Sequence, residues 1–223
     1  MILSQVVIEL RHSEPLKLFA PYEELYRSLT EEEFPEKGIP LPGFQLNVPK
    51  KMMRITVDPK RTAVIMGNVP SIHYCVDNSL AVFRKISDIV KLPTMQRLGI
   101  RSYWFEESEF NFVELTSVYK EKMYQPTEFA KESIDVGASF VIKEGDCAMN
   151  IAFGPMEQSQ LVGMLAFKTE KLPKVVSFLD VDFYRLLEKE KVTQGMIREF
   201  VAIGLESASK QAERLMKILP RKE

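Results

Sequence analysis

The sequence predicts an α+β protein built mainly on antiparallel sheet, in the order βαββαβ followed by αββββα, with a long carboxy-terminal helix. Three observations carry that prediction. Apolar runs with period-two alternation recur along the chain, joined by tight-turn residues, and strands joined by short turns must be antiparallel because parallel pairs need long crossovers. Two segments, residues 77–92 and 196–219, instead carry apolar residues at spacings of three and four, as helices that bury one face do. Composition is the third: 45% hydrophobic and 27% charged residues are ordinary values for a packed globular chain, although His, Cys and Gly are scarce at 2, 2 and 10 in 223 residues.

Residues 5–10 (QVVIEL) read as a first strand. Residues 14–33 place Leu18, Tyr22, Leu25, Tyr26 and Leu29 at helical spacing, with Pro15 suited to a first turn and Pro21 marking a kink or a later start. Residues 34–50 hold four prolines and two glycines beside Phe34, Ile39 and Leu41. Such an extended apolar connection fits a packed surface segment better than a lid, and Phe44, Leu46 and Val48 alternate with Gln45 and Asn47 as in a short edge strand. Residues 51–57 and 62–68 flank Asp58-Pro59-Lys60-Arg61 and form a hairpin. Asp77 then caps a helix with Leu80, Phe83, Ile86, Ile89 and Val90 on one face, ended by Pro93.

Residues 97–105 are a strand, 110–124 a helix, and Gln125-Pro126 a break. Three strands follow at 136–143, 147–153 and 161–168, separated by Glu144-Gly145-Asp146 and a Gly154-Pro155 loop. Residues 174–184 are a strand running into a short helix that ends near Lys191. The last helix, 196–219, buries Ile197, Val201, Leu205, Ala208, Ala212, Leu215 and Leu219, and Glu206/Lys210 and Glu213/Lys217 support it from solvent. Gly204 and Ala208, four apart, mark a face where another backbone can come close.

This divides the chain into a βαββαβ half, 1–109, and a sheet-plus-helix half, 110–223, meeting near Glu106-Glu107-Ser108-Glu109. No Gly/Ser linker separates them, so they are expected to pack as one unit. No residue-level repeat is visible. The second-half strands are apolar on both faces: Phe140 and Ile142 oppose Val141, and Met149 and Phe153 oppose Ala148 and Ala152. They therefore call for cover on both sides, from helices on one and from the other half, a partner subunit or a ligand cavity on the other.

With 30 Lys and Arg against 31 Asp and Glu, the chain has no global field to draw in nucleic acid or anionic lipid. The start, MILSQVVIELRH, has no basic segment ahead of its apolar residues, and no run approaches the roughly 20 apolar residues of a membrane span. Cys75 and Cys147 make no disulfide framework, so the cytoplasm is the expected compartment.

Chemistry-bearing residues are few. His73 and Cys75 lie two apart but lack a third metal ligand nearby, and His12 reads as a surface residue rather than a base. Lys50, Lys51, Arg54, Lys60 and Arg61 make a modest basic patch, read as a solvated turn, and Glu106, Glu107 and Glu109 another. The strand RLGIRSYWF is less ordinary: Arg97, Arg101, Tyr103 and Phe105 share one face, and arginine in a central strand needs a partner. Asp180 and Asp182 share a face of their own strand with Tyr184, and an internal ion pair with Arg101 is the plainest expectation. Arg97, Arg101, Tyr103, Asp180 and Asp182 are accordingly the candidate ligand-binding residues; no catalytic residue, metal ligand or cofactor is assigned.

The Val6-Val7-Ile8-Glu9-Leu10 strand, the run Gln-Arg-Leu-Gly-Ile-Arg-Ser-Tyr at 96–103, Leu-Asp-Val-Asp-Phe-Tyr at 179–184 and the long last helix together resemble an uncharacterised, sporadically distributed prokaryotic family of about this length. Where that family typically reads Arg-x-Gly-Leu-Arg-Tyr, this chain has Ser102 before Tyr103 and Trp104 after it. The resemblance implies no activity. From the residues, the leading expectation is a non-enzymatic binding or assembly protein that self-associates as a homo-oligomer. The alternatives are a binder of a small anionic or apolar ligand with Arg101 orienting it, and a metal-assisted hydrolase using Asp180 and Asp182.

Overall fold

The structure, a computed structural model, describes residues 1–15, 36–38, 43–124, 131–167 and 171–219. A single nine-stranded sheet runs through it in the order β2-β3-β4-β5-β1-β6-β9-β8-β7, every neighbouring pair antiparallel. The strands are β1 (Ile2–His12), β2 (Glu36–Gly38), β3 (Phe44–Val48), β4 (Met53–Val57), β5 (Arg61–Gly67), β6 (Met95–Glu107), β7 (Ala138–Glu144), β8 (Cys147–Glu157) and β9 (Val175–Glu190). Four described α-helices accompany them: α1 (Ile72–Ile89), α2 (Phe112–Met123), α3 (Gln158–Met164) and α4 (Gln194–Ile218). The α+β class with a long last helix is as the sequence predicts. The expected helix over 14–33 lies outside the described residues apart from its first two positions, and the Gln125-Pro126 break lies wholly outside them.

The sheet repeats one topological unit about its centre. β1 pairs with β5, and β5 with β4 and then β3; β6 pairs with β9, and β9 with β8 and then β7. Each unit ends in a helix, α1 or α4, and the two meet where β1 and β6 run antiparallel. β2 is an addition outside β3 that has no counterpart beside β7 among the described residues.

Period-two alternation decides which face each side chain takes. Val6, Ile8 and Leu10 of β1, Leu98, Ile100 and Trp104 of β6 and Leu179, Val181 and Phe183 of β9 form one buried face with Met149 and Ile151 of β8. α1, α2 and α4 cover that face with Phe83, Ile86, Tyr119, Val201, Leu205 and Ala208. Gly204 lies against the sheet: a Cβ there would come within 2.7 Å of Ile100 Cδ1 and 2.8 Å of Phe183 Cδ1. The close approach read from Gly204 is therefore to side chains of the sheet.

Several boundaries differ from expectation, each for a local reason. Ser71, not Asp77, caps α1, its hydroxyl accepting from Tyr74 N at 3.1 Å; the first turn carries no acid, and only the apolar face beyond Asp77 was periodic enough to read. Residues 158–164 are helix, not strand. Leu161, Met164 and Leu165 stand at i, i+3 and i+4 and join Tyr103, Phe105, Val176 and Phe178 in a second small core on the other face of the sheet. Gly154-Pro155 is not a loop but part of β8. A Cβ at Gly154 would strike the Val136 carbonyl at 2.7 Å, and Pro155 lies past the last β7 pair, where an edge strand tolerates a missing N–H. β9 stays extended to Glu190, absorbing extra residues opposite Gln96 in a bulge with Lys189 at φ +57°.

Candidate functional site

Opposite the helices, the centre of the sheet carries a lattice of ion pairs built by four neighbouring strands, β5, β1, β6 and β9. Register places Arg11 of β1 directly between Arg61 of β5 and Arg97 of β6. Glu9, two residues before Arg11 and on the same face, is largely buried and touches all three: Oε1 accepts from Arg11 Nε at 2.6 Å and Arg97 Nη1 at 3.1 Å, and Oε2 lies 3.5 Å from Arg61 Nη1.

Gly99 makes the centre of this lattice possible. It stands opposite Glu9 on one side and Tyr184 on the other, and without a Cβ it lets the Arg97 side chain fold flat along its own strand. The guanidinium then lies 4.8 Å from the Tyr184 ring centroid and donates Nη2 to both oxygens of Asp182, at 2.7 and 2.9 Å. Four residues along the same strand, Arg101 makes a second forked pair: Nε reaches Asp180 Oδ1 at 3.0 Å and Nη2 reaches Oδ2 at 2.6 Å, with its Cζ 5.4 Å from the Tyr103 ring centroid. Arg97 is 13% exposed at its side chain and Arg101 49%, so the better-buried cation is the one with two acidic partners.

The structure thus brings together Arg97, Arg101, Tyr103, Asp180 and Asp182, in two parallel ion pairs. The expected pairing of Arg101 with an aspartate is met by Asp180. What sequence reading missed is Glu9, Arg11 and Gly99, because their meeting depends on strand order; the glycine two residues after Arg97 was the one local signal. The hydrogen bond to Asp180 is the largest influence on the Arg101 pKa and pushes it up, the charge of the same aspartate adding to it and burial opposing it. Both aspartates therefore turn their oxygens to guanidinium groups. Among the described residues, no group of three or more His, Cys, Asp and Glu is placed to hold a metal ion.

The other candidates separate. His12 is buried rather than at the surface, because β1 extends to it and the β4–β5 turn folds over it: Nδ1 lies 3.2 Å from the Pro59 carbonyl and Nε2 3.1 Å from Thr62 Oγ1. The carbonyl can only accept, so Nδ1 carries the hydrogen and Nε2 accepts from the hydroxyl. Burial is the largest influence on its pKa and lowers it, opposed by the Pro59 bond and Asp58. His73 and Cys75 lie in the first turn of a helix, one exposed and one buried, and burial pushes the Cys75 thiol up to about 12. Of the basic patch, Arg54 reaches Asn47 Oδ1 and the Ala166 carbonyl and Arg61 reaches Asp58, so it is not one surface.

A second feature stands at the sheet's far end. β7 is the terminal strand, and Phe140 (54%), Val141 (72%) and Ile142 (36%) are exposed, although doubly apolar strands were expected to be central and covered twice. Phe140 and Ile142 lie on the helix face, where α2 packs its Tyr119 on Phe153 of β8 instead, and Val141 lies on the open face. On its outer side β7 pairs with no described strand.

No helix among the described residues is long and apolar enough to cross a membrane. No protein-family model matches the chain, and no curated protein does. Among solved structures, Methanococcus jannaschii TBP is similar at a TM-score of 0.35 and 9% identity, over 97% of this chain and 96% of that chain. A likeness that slight carries no argument about this protein.

Proposed function

We propose that this chain is a self-associating assembly protein that joins a second copy edge to edge through β7. The observation that carries the reading is an exposed, apolar edge strand with no outer partner among the described residues, which proteins ordinarily blunt with charge, proline or cover. The corresponding position in the first unit is filled, since β2 pairs outside β3. A second β7 would fill it in the other.

The strand is also self-complementary. A two-fold axis at Val141 sets Phe140 against Ile142 twice on one face and Val141 against its own copy on the other. Ser139 then faces Lys143, so no like charges meet; sliding the register by two residues would set Lys143 against Val141 and Glu144 against Phe140.

Sedimentation of the native chain should give twice the 25.7 kDa chain mass. Val141→Lys and Val141→Glu should each be monomeric, because each sets two like charges face to face, and mixing the two should restore a dimer. A native monomer at tens of micromolar, or variants that remain dimers, would sink the reading.

A further inference from the structure

The arginine row at the centre of the sheet opens into a cleft of about 660 Å³ whose wall includes Glu9, Arg11, Asp58, Lys60, Arg61 and Gln96. We propose that this cleft binds a small oxyanion, a phosphate or carboxylate group carried by a small molecule, on Arg11 and Arg61.

Arg61, Arg11 and Arg97 are directly opposite one another on adjacent strands, about 4.8 Å apart, and like charges in that relation repel. The carboxylates offset the repulsion unevenly. Among the described residues, Arg97 has Asp182 and Arg61 has Asp58, each in addition to Glu9, while Arg11 has Glu9 alone, through Nε, and shares it with both neighbours. Neither Nη of Arg11 has a hydrogen-bond partner among the described residues, nor does Nη2 of Arg61, and both side chains are about half exposed.

The carboxylates in the wall do not compete for the same space. Both oxygens of Glu9 accept from the arginines. Asp58 Oδ1 accepts from the backbone N–H groups of Lys60 and Arg61, and Oδ2 from Arg61 Nε. Glu14 stands exposed in the wall. What the cleft presents is therefore guanidinium edges with unused donors beside the exposed Lys60, and a planar guanidinium binds carboxylate and phosphate in forked fashion. Arg101 is the wrong place for such a ligand, since Asp180 already occupies its fork.

Titration calorimetry of the native chain with inorganic phosphate and, separately, citrate distinguishes the two head groups. Saturable binding of at least one is expected, weakened tenfold or more in Arg11→Gln and unchanged in Arg84→Gln, whose arginine lies exposed on α1. Arg11→Lys keeps the charge but not the fork and serves should Arg11→Gln fail to fold. It too should bind several-fold more weakly. Binding of neither anion at 10 mM, or equal binding by native and Arg11-substituted chains, overturns the proposal.

Discussion

Replacing Gly99 with alanine should destabilise this protein, although alanine is by itself the better strand residue by roughly 0.5–1 kcal/mol. The new Cβ would stand 2.5 Å from Arg97 Nη1 and 3.0 Å from its Cζ. Ordinary contact begins near 3.5 Å, so the guanidinium must lift by about 1 Å. That displacement takes the 2.7 and 2.9 Å bonds to Asp182 and the 3.1 Å bond to Glu9 to or beyond hydrogen-bond range. Charge-assisted bonds contribute about 1.5–3 kcal/mol each when fully made; an arginine end is flexible and water is near, so part is recovered. A net loss of roughly 1–2 kcal/mol is expected, about 2–8 °C in melting temperature for a chain of this size.

Urea unfolding of a double-mutant cycle isolates the cause. In an Arg97→Ala background the three atoms nearest a Cβ at residue 99 are gone, and Gly99→Ala should then stabilise by about 0.5–1 kcal/mol, reversing its sign. An equal cost in both backgrounds would refute the idea that the glycine exists to seat the arginine.

Two further outcomes follow from the same kind of reading. Gly204→Ala should lower the melting temperature, because overpacking against Ile100 and Phe183 costs about 1–3 kcal/mol while helix propensity returns about 1; Gly163→Ala in α3, whose Cβ would meet nothing within 4 Å, should raise it, and thermal melts in the opposite order would mean that α4 has room to lift. Folded His12 binds its proton below the ordinary 6.5 while the unfolded chain binds it there, so falling pH favours unfolding from about 6.5 downward; His12→Gln should flatten that part of a plot of melting temperature against pH, and an unchanged slope would show that the folded histidine protonates normally.

How much of this was legible in the chain depended on distance along it. The β4–β5 hairpin and α4 are local structures, set by turn chemistry at Asp58-Pro59 and by helical spacing from Ile197 to Leu215, and both were readable. α3 was not, because the apolar run from Leu161 to Phe167 satisfies period two as well as i, i+3, i+4; what decides is the pocket over Tyr103 and Phe178, more than 50 residues away for one of them. The site divides in the same way. Arg101 with an aspartate could be anticipated from two strands with facing charges, whereas the role of Glu9 required knowing that β1 lies beside β6, with 88 residues between it and Arg97.

The two topological units explain why a repeat of the backbone left no repeat in the sequence. On the helix face both central strands keep the same demand, Val6, Ile8 and Leu10 in one and Leu98, Ile100 and Trp104 in the other, and a core asks for apolar volume rather than identity. The open face is packed only in part, where α3 covers Tyr103, Phe105, Val176 and Phe178, and the two units differ there. β5 presents Arg61, Ala63 and Ile65 there, while its counterpart β9 presents Asp180, Asp182 and Tyr184. β3 is closed by β2, while its counterpart β7 has no outer partner among the described residues. Packing required by both units cannot account for a feature that only one of them carries. The arginine row, which crosses from one unit to the other without being repeated, and the edge uncovered among the described residues are therefore where selection for something other than folding would act, and they are the two places where a charge introduced at residue 141 and loss of the guanidinium at residue 11 should alter assembly or binding while leaving the nine-stranded sheet intact.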